Sequence, residues 1–400
     1  MGVQDHVPET LRTARAFRLL SAGQALSVVG DRITPVAIAF AVLGIGDVTD
    51  LGIVLAAGGI PFALFAIAGG VVSDRVGRRR VMIASDLVRT VSQAVTAGLL
   101  ISGRAEVWML VVLSAVYGTA SAVFMPALMG LIPQTVPAGR LQEANAVLGF
   151  TRSVASVLGP ALAGVIIAVA GPGEAIALDA VTFALSAACL IALRPAASDP
   201  GVEPEARFRA RLRAGWREVR ARPWLRWGLV AMATYHVCVL PAVFALGPAL
   251  AKAELSGASS WAAIVTAFAV GSIIGSALGL RANPKRPMRV CAAAFLGAAC
   301  QPAIIAGAGS TLAIGAFEAL AGICVAFGFT LWETTLGREI PAHLLSRVTS
   351  FDWFSSVGLM PLGYALVGPL ADALGLHTVM FGASAIVAAL AAAYLVAGPT

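Results

Sequence analysis

Of the 400 residues, 58% are hydrophobic and only 12% are charged, and the mean hydropathy is +0.87. A chain this apolar cannot hide its nonpolar side chains in one water-exposed globule, so it is read as a polytopic membrane protein whose solvent is the lipid bilayer. The formal net charge of +7 would suit a nucleic-acid partner, but the basic residues fall in short blocks between apolar runs, as membrane topology places them. No nucleic-acid partner is expected.

Apolar runs of spanning length fall near 17–43, 51–72, 81–102, 107–131, 144–169 and 175–193, then near 224–250, 260–280, 288–308, 311–332, 348–370 and 376–397. Each approaches the roughly 20 residues a bilayer core requires, which predicts an all-α integral membrane protein of twelve spanning helices. A polar gap divides them six and six, giving three segments: residues 1–193, a linker at 194–223, and residues 224–400. The first run is too long for a signal-peptide core, and no cleaved segment is expected. With the N-terminus in the cytoplasm, only Arg104 and Lys252 fall in loops on the far side, so both termini are placed inside.

The first run, with "SVVGDRITPVAIAF" at its middle, carries Gln24, Ser27, Asp31 and Thr34 at intervals of three and four, one helix face suited to an aqueous cavity. Pro35 removes the amide that would bond the Asp31 carbonyl, so backbone and side chain both present acceptors there. Arg32 points about 100° away among valines and needs its own partner or a packing role. In the third run, Asp86, Arg89, Gln93 and Thr96 form a second stripe, and Asp86 and Arg89 can pair within the helix as a structural ion pair. The fifth run aligns Asn145, Gly149, Arg152 and Ser156, which places Arg152 at a depth broadly similar to Asp31 and makes a buried pair between them an expectation.

The linker turns from Pro, Ser and acidic residues into "ARFRARLRAGWREVRARPW", either a basic linker obeying the topology rule or an amphipathic helix at an anionic leaflet. His236 in the seventh run is a relay candidate or a hydrogen-bonded packing residue. Glu318 in the tenth is the carboxylate of the second half that lies well inside an apolar run, while Asp352, with Thr349 and Ser356, sits near one end of the eleventh. Cysteines 189, 238, 291, 300 and 324 lie inside apolar runs without paired ligand spacing, so neither disulfides nor a metal site is expected. Only Lys252 and Lys285 are present and neither follows a glycine, so a phosphate-binding loop is absent. No serine-nucleophile elbow appears, and neither an enzyme nor a cofactor is expected.

Between the second and third runs stands "GGVVSDRVGRRR". Its pattern G-x-x-x-D-R-x-G-R-R, after the second of twelve helices, resembles the loop signature of the major facilitator superfamily. The resemblance implies two six-helix bundles around a central cavity, with a conformational latch formed by Gly70, Asp74, Arg75, Gly77 and Arg78 that ties helix 2 to the start of helix 11. It also implies that the helix of Asp86 and Arg89 lies away from the cavity. The equivalent loop of the second half, "RANPKRPMR", lacks the Gly-Asp pattern. A weak echo, "IPQTVPAGRLQEAN" and "IPAHLLSRVTSFD", each followed by a Gly-Pro in the next helix, fits two parallel repeats.

The fifth run, "RSVASVLGPALAG", is similar to the Gly-Pro motif of exporters in that superfamily, keeping Gly159, Pro160 and Gly164; plain helix packing explains the same residues. The eighth run offers a matching small-residue surface in Gly271, Gly275 and Gly279. Across the chain, "GDRITPVAIAFAVL", "FMPALMGLIPQTVPAGRLQEANAV" and "GREIPAHLLSRVTSFDWF" most resemble bacterial exporters of the macrolide-efflux and enterobactin-exporter type. That resemblance implies a monomeric multi-pass transporter of the bacterial inner membrane that exchanges protons for an amphipathic small molecule. Asp31, Arg152, Gln24, Glu318 and Arg32 are its coupling or cavity candidates. Uptake of a small metabolite, and a sensor or scaffold without net transport, are the alternatives.

Overall fold

A computed structural model of the chain describes residues 9–194 and 208–397; within them, side chains at 9–14, 66–71, 74, 138, 208–214, 342–343, 346–347 and 397 lie outside the description. The described chain is helical throughout, without strands. The first half comprises α1 (Glu9–Ile45), α2 (Val48–Val76), α3 (Arg78–Ile101), α4 (Val107–Leu131), α5 (Leu141–Val169) and α6 (Pro172–Ala192). After the linker come α7 (Phe208–Ala221), then α8 (Pro223–Thr234), which runs through two π-helical stretches into α9 (Gly247–Glu254). The rest are α10 (Ala258–Arg281), α11 (Pro287–Ala299) continued by α12 (Gln301–Gly307), α13 (Thr311–Glu339), α14 (Ala342–Trp353) leading into α15 (Met360–Leu374), and α16 (Leu376–Ala397).

Eleven spans among the described residues are long and apolar enough to cross a membrane. The twelfth expected span, α3, is long enough at 24 residues but too polar to qualify by composition. Its two faces explain this. Ser85, Asp86, Arg89, Ser92, Gln93 and Thr96 are buried, whereas Leu87, Val88, Val91 and Val95 are exposed. In lipid the exposed side must be apolar, so α3 keeps its polar groups against protein, where neighbouring helices satisfy them. It packs on α4 and α6.

The helices cluster into two compact units, Met1–Ile38 with Pro61–Val202, and Ala39–Ile60 with Glu203–Thr400. The core of the first unit is built from Leu20, Met82, Phe124, Leu128, Leu131, Leu148 and Leu190. The α1–α2 hairpin belongs to the second unit. Thr49 Oγ1 donates to Asp372 at 2.7 Å, and the Lys252 ammonium donates to the Leu43 carbonyl. Gly52 backs directly onto the Tyr364 carbonyl, leaving no room for a Cβ.

Arginines hold the ends of the helices. Gly77, with φ of +100°, makes the tight turn between α2 and α3 that its lack of a Cβ permits. Arg78 then donates to the Gly130 carbonyl at 2.6 Å, and Arg79 donates to the Leu190 and Ile191 carbonyls at 2.7 and 2.6 Å. The basic loop thus neutralises the carbonyl ends of α4 and α6, where the helix dipole is negative. In the second unit Arg222 does the same for the Glu339 carbonyl at 2.7 Å, and is itself held by Glu218 at 3.1 Å. The Arg-rich linker is helical from 208 to 221, and Trp216 packs against Phe351 with ring centroids 5.7 Å apart, so this helix docks on protein. Residues 195–207 of the linker lie outside the described residues.

A cluster of three carboxylates around one guanidinium

Four helices of the first unit send polar side chains to one place. From α3, Arg89 binds Asp86 one turn earlier, and its Nη1 lies 3.7 Å from Asp31 of α1. The guanidinium carbon sits 4.2 Å from the ring centroids of both Phe124 (α4) and Phe183 (α6), sandwiched between two aromatic faces that favour a cation. Tyr117 of α4 donates its hydroxyl to Asp31 at 2.7 Å. Asp179 of α6, fully buried, accepts from Thr34 at 2.6 Å and from Gln93 at 2.7 Å, while Thr182 caps it at 3.3 Å. Gln93 also donates to Thr34 at 3.0 Å, which joins α1, α3 and α6 through one amide.

Helix periodicity makes this geometry. Asp86, Arg89 and Gln93 lie at intervals of three and four on α3, as Asp179, Thr182 and Phe183 do on α6. The helices must also come close. A Cβ on Gly30 of α1 would collide with the Asp179 carboxylate and the Thr182 hydroxyl, so only glycine allows the approach. On another side of α1, Gly159 of α5 fits against Arg32 in the same way, so the Gly-Pro segment of α5 packs on the helix that bears Asp31.

Three carboxylates and one guanidinium make a group with two negative charges in excess when all are ionised. Burial of uncompensated charge is costly in a low-dielectric surrounding, so such a group accepts positive charge. Its members differ in access. The side chains of Asp86 and Arg89 are 0% and 3% exposed, whereas that of Asp31 is 35% exposed and forms the open edge of the cluster.

The expected residues are placed as follows. Asp31 is in the cluster, but its cation is Arg89; Arg152 is half-buried on α5 and makes no ion pair among the described residues. The Asp86–Arg89 pair is present and continuous with Asp31, so it is not set apart from the first helix. Gln24 is buried, with its Nε2 unpartnered among the described residues. Arg32 is exposed. Gly271 and Gly275 face the Ala319 and Ile323 carbonyls, and Gly279 faces Thr330, so the small-residue surface of α10 is occupied by α13. Gly164 is buried within α5. The surroundings of Gly70 and the side chain of Asp74 lie outside the described residues.

In the second unit Glu318 is buried on α13. Its Oε2 accepts from Gln301 at 2.7 Å, Tyr235 donates to the other end of that amide at 2.9 Å, and its Oε1 has no partner among the described residues. His236 hydrogen-bonds the Met232 carbonyl at 2.8 Å and packs edge-on against Tyr235, a packing role. Trp332 donates to Asp352 at 3.1 Å. Among the described residues no group of His, Cys, Asp or Glu has the makings of a metal site.

Asp179 and Tyr117 are members that sequence reading overlooked. Asp179 was detectable, since it is a lone acid in the middle of the apolar run 175–193 with Thr182 and Ser186 on its face. Tyr117 carries no comparable signal.

The helices are arranged as in several solved transporter structures. Among solved structures, the chain resembles the nucleoside transporter NupG with a TM-score of 0.77 at 11% identity, covering 95% of this chain and 99% of that one. It resembles a bacterial homolog of the human lysosomal transporter Spinster with a TM-score of 0.72 at 14% identity, covering 98% of each. Among curated sequences, macrolide efflux protein A of Streptococcus pyogenes is 25% identical over 90% of both chains. The multidrug efflux pump Tap of Mycolicibacterium fortuitum is 29% identical over 92% of this chain and 91% of its own, and the enterobactin exporter EntS of Salmonella choleraesuis is 26% identical over 90% and 86%. The family model described as Major Facilitator Superfamily matches residues 20–361, and the chain, a multi-span membrane transporter, belongs to that superfamily.

Proposed function

We propose that the protein exports an amphipathic small molecule by alternating access, driven by protons that load at Asp31. The carrying observation is the cluster in the first unit, where three carboxylates share one guanidinium and only Asp31 is open to an approaching proton. A proton on Asp31 cancels its attraction to Arg89 and weakens its bond from Tyr117, which frees α1 from α3 and α4. Release of the proton on the other side of the membrane restores the pair. If substrate occupies the cavity only when Asp31 is ionised, inward proton flow expels it.

The efflux names of three relatives support export of small molecules. Arg152 and Gln24 serve here as cavity residues, and the basic loop from Gly70 to Arg78 as the latch that favours one access state. The protein works as a monomer in the inner membrane with both termini cytoplasmic, the orientation that keeps the basic loops inside.

Inside-out vesicles with an imposed proton gradient, matched for expression and screened with amphipathic drugs and siderophores, test this. Gradient-driven uptake by wild type that is lost in Asp31→Asn is the expected result. Equal uptake by both would remove Asp31 from coupling.

A further inference from the structure

The second unit has a cleft that the transport reading does not use. It lies among the start of α8, the start of α11 and the ends of α13 and α16, which topology brings to one end of the bundle. Trp224, Trp227, Met288, Trp332 and Tyr394 line it, and it holds about 430 Å³ of empty space counting its open mouth. The walls are apolar and aromatic: Trp227 stacks edge-on against Tyr394 at 6.0 Å, and Trp224 against Trp332 at 5.9 Å.

Two polar atoms, one in the lining and one on the residue after Met288, find no partner among the described residues. The Tyr394 hydroxyl, on a side chain that is only 7% exposed as a residue, makes no hydrogen bond among the described residues. The buried Nε of Arg289, beside Met288 in the first turn of α11, makes none either. Arg289 lies within electrostatic reach of Tyr394. An unpartnered phenol and an unpartnered guanidinium nitrogen at the rim of an aromatic slot make a donor pair over an apolar trough. Arg281, Lys285 and Arg286 lie at the end of α10 and in the segment leading into α11, and that segment holds no carboxylate.

We infer that this cleft binds an anionic phospholipid, with an acyl chain against the tryptophans and the phosphate held by Arg289 and Tyr394. Three features select this occupant. The slot is apolar along its length, which suits a hydrocarbon tail. Its unpartnered polar groups, a guanidinium N–H and a phenol O–H, can both donate at the place a headgroup would reach, and the guanidinium charge suits phosphate over a cationic group. Aromatic residues and arginine together sit where a spanning bundle meets the headgroup layer. The occupant bridges α11 to α16 and so ties the ends of two helices together.

The test is native mass spectrometry of the purified full chain, delipidated and then offered equimolar phosphatidylglycerol and phosphatidylcholine in detergent. The expected result is a retained lipid with about a fivefold preference for phosphatidylglycerol, the worth of one arginine beside an anionic headgroup. Arg289→Gln with Tyr394→Phe brings the ratio to one, while Arg281→Gln, an exposed change at the end of α10, leaves most of it. Met288→Trp fills the slot without altering charge and lowers the retention of both lipids. Melting temperature and monodispersity report folding, and the Met288→Trp arm stands if the double variant does not fold. Equal retention of the two lipids by wild type, an unchanged preference in a folded double variant, or unchanged retention in Met288→Trp overturns the inference.

Discussion

Asp179 and Glu318 are both carboxylates buried in the middle of an apolar helix, one in each unit, yet their surroundings differ in kind. Asp179 receives three donors, from Thr34, Gln93 and Thr182, and shares its neighbourhood with Asp31, Asp86 and Arg89. Glu318 receives one, from Gln301, and its second oxygen has no hydrogen-bond partner among the described residues. A carboxylate with several donors has its oxygens satisfied from several helices, whereas one with a single donor leaves an oxygen without a hydrogen bond. The first unit is therefore built to hold and exchange charge. The second holds its acid on one hydrogen-bonded arm, and the two units contribute unequally to any coupling.

The largest blow to this contrast is removal of Arg89. With Arg89→Gln the carboxylates of Asp31, Asp86 and Asp179 lose the only cation among the described residues that pairs with any of them, and two aromatic faces lose theirs. Breaking a buried pair in this way costs ~3–5 kcal/mol. A steep fall in folded yield and melting temperature is expected, measured by fluorescence-detected size exclusion across a temperature series. A variant as stable as wild type would show that Arg89 does not compensate the cluster.

Asp179→Asn is the next in size. The change keeps shape but turns one acceptor oxygen into an amide that meets donors from Thr34 or Gln93, so at least one buried group is left unsatisfied at ~1–3 kcal/mol. The expected result is a moderate loss of thermal stability together with weakened proton-driven transport. Unchanged stability would mean that Asp179 already carries a proton in the folded protein and matches Asn in hydrogen bonding.

Much of this is legible in the sequence alone. The twelve runs, the polar stripe on the third and the acid on the first all follow from composition and a period of 3.6. What periodicity supplies is the face of a helix; it does not supply the neighbour that face meets. Similar depth on polar faces points Asp31 to Arg152, while the neighbour in the structure, Arg89, is paired by its spacing with Asp86 of its own helix. One guanidinium can serve two carboxylates on different helices, and a sequence spacing shows only the one on its own helix. The glycines of α10 illustrate the same limit: a small-residue surface announces a close helix partner, and the partner is α13. Asp179 was missed although an acid amid apolar residues is itself the signal. The helical part of the linker was one of two open readings, because its arginines satisfy the topology rule whether the segment is coiled or helical.

The smallest effect is expected at Glu318, and it sharpens the contrast most. Glu318→Gln retains an oxygen to accept from Gln301 Nε2 at the site now spanning 2.7 Å, and places its amide toward the side where Oε1 has no partner. If Glu318 is a neutral acid in the folded protein, the exchange trades one neutral polar group for another of the same shape, and stability changes by less than about 1 kcal/mol. The same conservative substitution then costs little in one unit and much more at Asp179 in the other. Parallel thermal unfolding of Glu318→Gln and Asp179→Asn reads the difference directly. A loss at Glu318 as large as that at Asp179 would mean that Glu318 is not held as a neutral acid, and the two units would be alike in how they carry charge.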